Sequence, residues 1–346
     1  MGLVFKHVTA FLGSILLGLY IVPVMIRAAK KLRFLDVPDG KIKTHKAPVP
    51  NLGGLALYIT FITILALIYP FGSELLWFIL GTTLLLLVGL VDDFNALTPL
   101  QKIGGQIVAV SCFLKGGVAL KSQFFDTYTN LFASGFWILS VINAFNLVDV
   151  MDGLSGVLAL VSALSFCIIA LILEKYLVSL LLTILIGALI AFLFYNRPPA
   201  KIYLGDAGSL FVGGFIAAMP LLFSWTHILH DYRAMPGFAF GNVILEIAIS
   251  AIVPILIVGI PLLEVALLII IRKYKGIPFY SGSPHHFAIY LQNKGYSVKQ
   301  VLFFSIAISS ILSSLGLLFM FGIISFLMLC VGVLGLFLAF VLTVFL

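Results

Sequence analysis

Long apolar runs separated by short polar stretches dominate the chain, at about residues 8–26, 53–69, 75–91, 103–120, 131–148, 154–173, 176–195, 208–225, 242–271, 301–320 and 322–346. Each approaches or exceeds the ~20 residues with which an α-helix crosses the roughly 30 Å hydrocarbon core of a bilayer. The runs are apolar on every face instead of alternating, which argues against the strands of a transmembrane barrel. The pattern predicts an all-α integral membrane protein, a polytopic bundle of about eleven transmembrane helices with residues 1–346 forming one domain. The first run is too long for the apolar region of a signal peptide and leads directly into Arg27, Lys30, Lys31 and Arg33, so it is expected to be a span. The ninth is long enough to tilt or break, and Pro254 and Pro261 give a cause for a kink.

Composition agrees with this pattern, since 62% of residues are hydrophobic and 10% charged, against about a quarter charged in soluble domains. Charge placement then sets an orientation. All but five of the 20 basic residues (Lys6, Lys115, Lys121, Lys175 and Arg233) fall in the alternating loops 27–52, 92–102, 149–153, 196–207 and 272–300. The positive-inside rule makes those loops cytoplasmic, with the N-terminus outside and the C-terminus inside. The formal charge of +7 thus reads as membrane orientation, with no nucleic-acid partner expected. Cys112, Cys167 and Cys330 lie inside apolar runs without metal-ligand spacing and read as small hydrophobes. Seven of the 13 acids (Asp36, Asp39, Asp92, Asp93, Asp149, Asp152 and Asp206) share the cytoplasmic loops. A basic face with acids tucked where helices emerge suits a metal and phosphate site.

Polarity is densest in residues 143–156, NAFNLVDVMDGLSG. If that stretch is helical, Asp149 and Asp152 share a face, as do Asn143 and Asn146; a solvated loop between spans accounts for the same residues. In LVDDFNALTPLQK the adjacent Asp92 and Asp93 repel and call for Mg²⁺ or a proton, or they form a solvated helix end. In NRPPAKIYLGDAGSLFVGG, Asp206 either caps the following helix or holds the metal of a phosphate approaching the glycines. Lys43, His45 and Lys46 of KIKTHKAPVPNLGG are orientation signals or anion ligands. His285 and His286 of SGSPHHF are exposed imidazoles or donors to a pyrophosphate. Glu246 and Glu264 lie inside the ninth run and motivate a second function class, an ion-coupled membrane transporter. The lack of recognisable repeated halves, and the crowding of acids at one interface, count against it.

The ordered set LDVPDGKIKTHKAPVPNLGG, LVDDFNALTPLQK, NAFNLVDVMDGLSG, IYLGDAGSL and SPHHF, over about residues 27–300, resembles the polyprenyl-phosphate N-acetylhexosamine-1-phosphate transferases of glycosyltransferase family 4. Each piece alone is weak, whereas the ordered set is specific. The resemblance implies a transferase that moves a sugar 1-phosphate from a UDP-sugar to a membrane polyprenyl phosphate, releases UMP and uses Mg²⁺, with Mn²⁺ as a substitute. It implies that Asp92 and Asp93 sit by the acceptor phosphate and metal, and that Asp206 ligates Mg²⁺. Asn146 and Asp149 would line the nucleotide-sugar site, with Asp152 near the uracil and Tyr203 stacking on it. His285 and His286 would meet the pyrophosphate or sugar, and Lys43 and His45 the nucleotide entrance. Val150 stands where the family usually has glycine, and the histidine motif is shorter than the family's fuller sets.

Within the family, the stretch at 35–50 and the last run look like the undecaprenyl-phosphate N-acetylglucosamine-1-phosphate transferase branch. SPHHF and NKGYSVKQ have features of the phospho-N-acetylmuramoyl-pentapeptide transferases. The expected location is the cell (inner) membrane with the site at its cytoplasmic face; a homodimer is compatible with the sequence.

Overall fold

The computed structural model describes residues 2–36, 48–122, 125–223, 243–278 and 284–345, with side chains of 243–248 excepted. Lys43, His45 and the Glu246 side chain therefore lie outside the described residues. The helices are α1 (Leu3–Leu32), α2 (Gly53–Ile68), α3 (Ser73–Phe94), α4 (Pro99–Lys115), α5 (Thr127–Val148), α6 (Leu154–Ile172), α7 (Tyr176–Asn196), α8 (Gly205–Leu221), α9 (Val243–Ile257), α10 (Gly259–Tyr274), α11 (Phe287–Asn293), α12 (Val298–Met320) and α13 (Phe326–Phe345). The one sheet among the described residues pairs β1 (Leu35–Asp36) antiparallel with β2 (Val49–Pro50). The protein is thus an all-α, multi-pass membrane protein. Among the described residues a helix forms at every predicted run, while seven helices are long and apolar enough to cross a membrane, or eight if the bent pair α9 and α10 is one span. Helices α2 and α8 are apolar but only 16 and 17 residues long.

Helix α8 is the buried centre, enclosed along residues 207–220 and packed against α2, α3 and α5. Small residues let the backbones close in, as is usual where apolar lipid supplies no hydrophobic drive between helices. A Cβ on Gly54 would lie 2.1 Å from the Gly208 nitrogen, and one on Gly89 would lie 2.3 Å from the Asp206 carbonyl oxygen. Deeper in the bundle Phe215 fills the space between α2 and α3, edge-on to Phe61 at 5.2 Å and to Phe78 at 5.3 Å between ring centroids.

The ninth run does break, by 82° between Ile249–Ile257 and α10. Pro261 has no N–H to give to the carbonyl four residues back. That carbonyl, Ile257 O, is taken instead by the Ser162 hydroxyl of α6 at 3.1 Å. The break turns α10 so that it packs against α5 and α12.

Candidate active site

The site begins with the start of α4. Thr98 and Gln101 form a capping box, and Pro99 occupies the first turn, where its missing N–H costs nothing. This fixed start places Lys102 one turn into the helix. Its ammonium donates to Asp92 Oδ2 at 2.7 Å, Asn146 Oδ1 at 3.0 Å and Asp206 Oδ1 at 3.2 Å. Four side chains from α3, α4, α5 and α8 thus converge through one cation. The remaining Asp92 oxygen accepts from Leu97 N at 2.7 Å, and the Asn146 amide donates to Asp206 and to Ser209 Oγ. One turn further along α4, Gln106 and Asn143 exchange reciprocal carboxamide bonds of 3.3 and 2.8 Å, bracing the same pair of helices.

Asp93 faces the other way from its neighbour. Its carboxylate accepts from Asp206 N, Ala207 N and the Asn51 side chain, all at 2.9 Å. Leu204 at the N-cap of α8 offers no side-chain acceptor, so Asp93 caps that helix from α3. The alternative in which Asp206 itself caps α8 is not what forms: Asp206 lies in the first turn and its side chain meets Lys102 and Asn146. Gly205, at φ 73°, makes the preceding turn, and a Cβ there would lie 2.7 Å from Asp93 Oδ2. On the far side of this loop the carbonyls of Tyr203 and Leu204 accept from Gly53 N and Gly54 N at 3.0 and 2.9 Å. Asp206 is therefore held between the start of α2 and the end of α3.

Asp149 and Asp152 do not share a helical face. Asp149 is the C-cap of α5, and a turn through Gly153 at φ 77° separates the pair from α6. They remain neighbours: burial first, then the charges of Asp206, Asp93 and Asp152, hold the Asp149 carboxyl well above the usual carboxylate range. Asp152 accepts from Ala200 N at 2.9 Å. Tyr203 lies within the electrostatic reach of Asp152 and Asp36, and burial followed by these charges pushes its phenol up to about 12. Asp149, Asp152 and Tyr203 thus border the Asp206 cluster from two loops.

The histidines form a second group. Lys275 Nζ lies 2.7 Å from His285 Nε2, and since an ammonium only donates, that ring carries its proton on Nδ1. Burial first, then Lys275, Arg272 and His286, pulls the His285 imidazole below its ordinary value. His286 Nδ1 meets Glu264 Oε1 at 2.7 Å. Gln292 of α11 reaches Met151 Sδ at 3.1 Å, tying the histidine segment to the loop of Asp149 and Asp152.

Among the described residues no group of three or more His, Cys, Asp or Glu side chains is arranged to hold a metal ion by itself. The donor chemistry nevertheless fits Mg²⁺, because two carboxylate oxygens and one carboxamide oxygen already surround a cation, the Lys102 ammonium. Asp93 is committed to N–H groups and does not belong to that set. Sequence reasoning missed Lys102, Asn51 and Gln106. For Lys102 a signal was present, since TPLQ reads as a capping box that puts the next residue on the first turn, ten positions after Asp92.

Residues 75–224 match the family profile described as glycosyl transferase family 4. A probable undecaprenyl-phosphate N-acetylglucosaminyl 1-phosphate transferase of Bacillus subtilis is 30% identical over 292 residues, 81% of this chain and 76% of the relative. Phospho-N-acetylmuramoyl-pentapeptide-transferases of Bacillus cytotoxicus and Bacillus thuringiensis are 32% and 34% identical, each over 64% of this chain and 75% of the relative. The matched region contains the whole Asp92, Lys102, Asn146 and Asp206 cluster, and the chain belongs to glycosyl transferase family 4.

Proposed function

We propose that the protein transfers N-acetylglucosamine 1-phosphate from UDP-N-acetylglucosamine to undecaprenyl phosphate, releasing UMP and starting a cell-envelope glycan. The observation that carries this reading is the cation cradle of Asp92, Asn146 and Asp206 around Lys102, in a chain similar over 81% of its length to a relative named for that activity. In the fuller reading all eleven runs cross the inner membrane, with the N-terminus outside and the cradle at the cytoplasmic face. The acceptor's hydrocarbon then stays in the bilayer while its phosphate meets the water-soluble donor.

Both reactants are anions, so placement and charge neutralisation are the main requirements. Mg²⁺, held by Asp92, Asp206 and Asn146, would supply Lewis-acid charge stabilisation at the phosphates. Lys102 would then stand beside the cradle as a cation for a phosphate oxygen. Asp93 keeps the start of α8 in register through its bonds to Asp206 N and Ala207 N. Asp152 and Tyr203 bind the base, the carboxylate accepting a hydrogen bond and the ring stacking. Asp149 lines the nucleotide-sugar pocket, Lys43 and His45 its entrance, and His285 and His286 meet the pyrophosphate. The acceptor phosphate attacks directly, because it is already an anionic nucleophile.

The test is to incubate purified protein with Mg²⁺, undecaprenyl phosphate and either UDP-N-acetylglucosamine or UDP-N-acetylmuramoyl-pentapeptide, and to measure UMP. Release with the first donor alone is expected. Release with the second alone would move the protein to the muramoyl-pentapeptide branch, which the relatives at 32–34% identity keep as a second reading. Release with neither would remove the transferase reading.

A further inference from the structure

Glu264 is a carboxylate with 1% of its surface exposed, on a helix of the bent pair. An unpaired charge there would be strongly unfavourable, and a well-packed apolar residue would often serve stability as well or better. Its partners explain its presence. Oε1 meets His286 Nδ1 at 2.7 Å, and Oε2 accepts from Phe287 N at 3.3 Å. Both donors belong to the first residues of the segment that carries the histidine pair, so one carboxylate fixes the start of α11 and the ring beside it. His286 itself, the N-cap of α11, makes no side-chain capping bond. The buried Arg272 lies within electrostatic reach of Glu264 on the same helix.

We propose that Glu264 is a positioning residue that holds His286 with its proton on Nδ1, leaving Nε2 as the atom that exchanges a proton or meets the transferred phosphate. The adjacent ring is set the opposite way, because Lys275 occupies His285 Nε2 and leaves Nδ1–H as its donor. His285 Nδ1 is buried and has no partner among the described residues. Two histidines neighbouring in sequence are thereby divided: His285 is held through Nε2 by Lys275, and His286 through Nδ1 by Glu264. The 82° break between α9 and α10 is what brings the carboxylate to this place, in a helix that would otherwise have continued straight. What His286 does rests on the transferase reading, whereas the geometry of the pair does not.

The test uses the full-length protein, labelled with ¹⁵N-histidine, in bilayers. The His286 signals are identified by their loss in His286→Gln. Wild type is expected to show His286 protonated at Nδ1, and Glu264→Gln to shift the ring away from that state. A wild-type ring protonated only at Nε2 would overturn the proposal, and this result needs no variant of Glu264 to fold. In the UMP assay, Glu264→Gln is expected to lower kcat at least tenfold with the donor KM within threefold, and Glu264→Asp to recover part of the loss. The double variant with His286→Gln is expected to be no slower than His286→Gln alone. Multiplying losses would make Glu264 merely structural and overturn its role through His286. Absence of UMP from wild type would defeat the transferase reading and leave the ¹⁵N result to decide the pair.

Discussion

Asp92, Asp93 and Asp206 are equivalent by formula, but the fold gives them different work. Asp206→Asn is expected to leave the thermal midpoint in detergent within a few degrees of wild type and to remove nearly all UMP release, because it loses charge at the cradle. Asp93→Asn is expected to do the reverse in emphasis. An amide turned to Asp206 N, Ala207 N and Asn51 must bring its own donors against donors, and an unsatisfied buried group costs about 1–3 kcal/mol. A lowered thermal midpoint for Asp93→Asn, and not for Asp206→Asn, checks the division; matching midpoints would count against it. Lys102 gives a second contrast. If the proposed metal sits where its ammonium now lies, Lys102→Met is expected to bind Mn²⁺ about tenfold more tightly, a gain of about 1.4 kcal/mol, by paramagnetic resonance titration. UMP release should nevertheless fall. Weaker Mn²⁺ binding would mean that Lys102 supports the metal instead of standing in for it.

At the scale of elements, the site is made where helix ends meet. The start of α8 is capped by α3, the start of α2 by the carbonyls of Tyr203 and Leu204, and the start of α11 by α10. Gly89 lets α3 approach α8 closely enough for the first of these contacts. Gly89→Ala should drive the two helices apart, lower the thermal midpoint and cut UMP release more than tenfold; near-wild-type turnover would show that the contact has slack. The two loops that carry Asp152 and Tyr203 should act as one pocket. Loss of one charge-assisted hydrogen bond costs roughly 1.5–3 kcal/mol, so Asp152→Asn is expected to raise the apparent UDP-sugar constant by about one to two powers of ten. Tyr203→Phe should be mild and Tyr203→Ala should not. A rise in the polyprenyl-phosphate constant alone would reverse the assignment of the two substrates.

For the whole molecule, the bonds among Asp92, Lys102, Asn146 and Asp206 tie the C-terminal ends of α3 and α5 to the N-terminal ends of α4 and α8. Those ends therefore lie on one side of the bundle, as the alternating loops predict. Phe34, just past α1, packs against Phe94 at the end of α3 with the rings tilted and their centroids 4.1 Å apart, which brings the basic end of α1 to the same side. The side itself is tested in a Cys330→Ser background. Lys121→Cys should react with a membrane-impermeant maleimide added to the outside of intact cells, and Lys201→Cys only after the cell membrane is opened. The converse labelling would invert the orientation.

The sequence alone determined what depends on composition and local pattern. Apolar runs of spanning length impose helices because lipid offers backbone groups no other partner, and Pro254 and Pro261 marked the interrupted run. Carboxylates such as Asp92, Asp149 and Asp206 also stood out against so apolar a background, whereas Lys102, Asn51 and Gln106 did not. Only the tertiary structure decided which acid does what. Asp92 and Asp93 follow one another in a helix, so they point in different directions, and nothing in DD says which meets Lys102 and which caps α8. The helical face expected for Asp149 and Asp152 was lost because α5 ends at Val148, whereas Asn143 and Asn146, still within α5, do face α4 together. Glu264 read as the coupling group of a transporter because its partner, His286, is 22 residues away in sequence. Side-chain roles here are set by hydrogen bonds between helix ends distant in sequence, and such bonds exist only after the helices have packed.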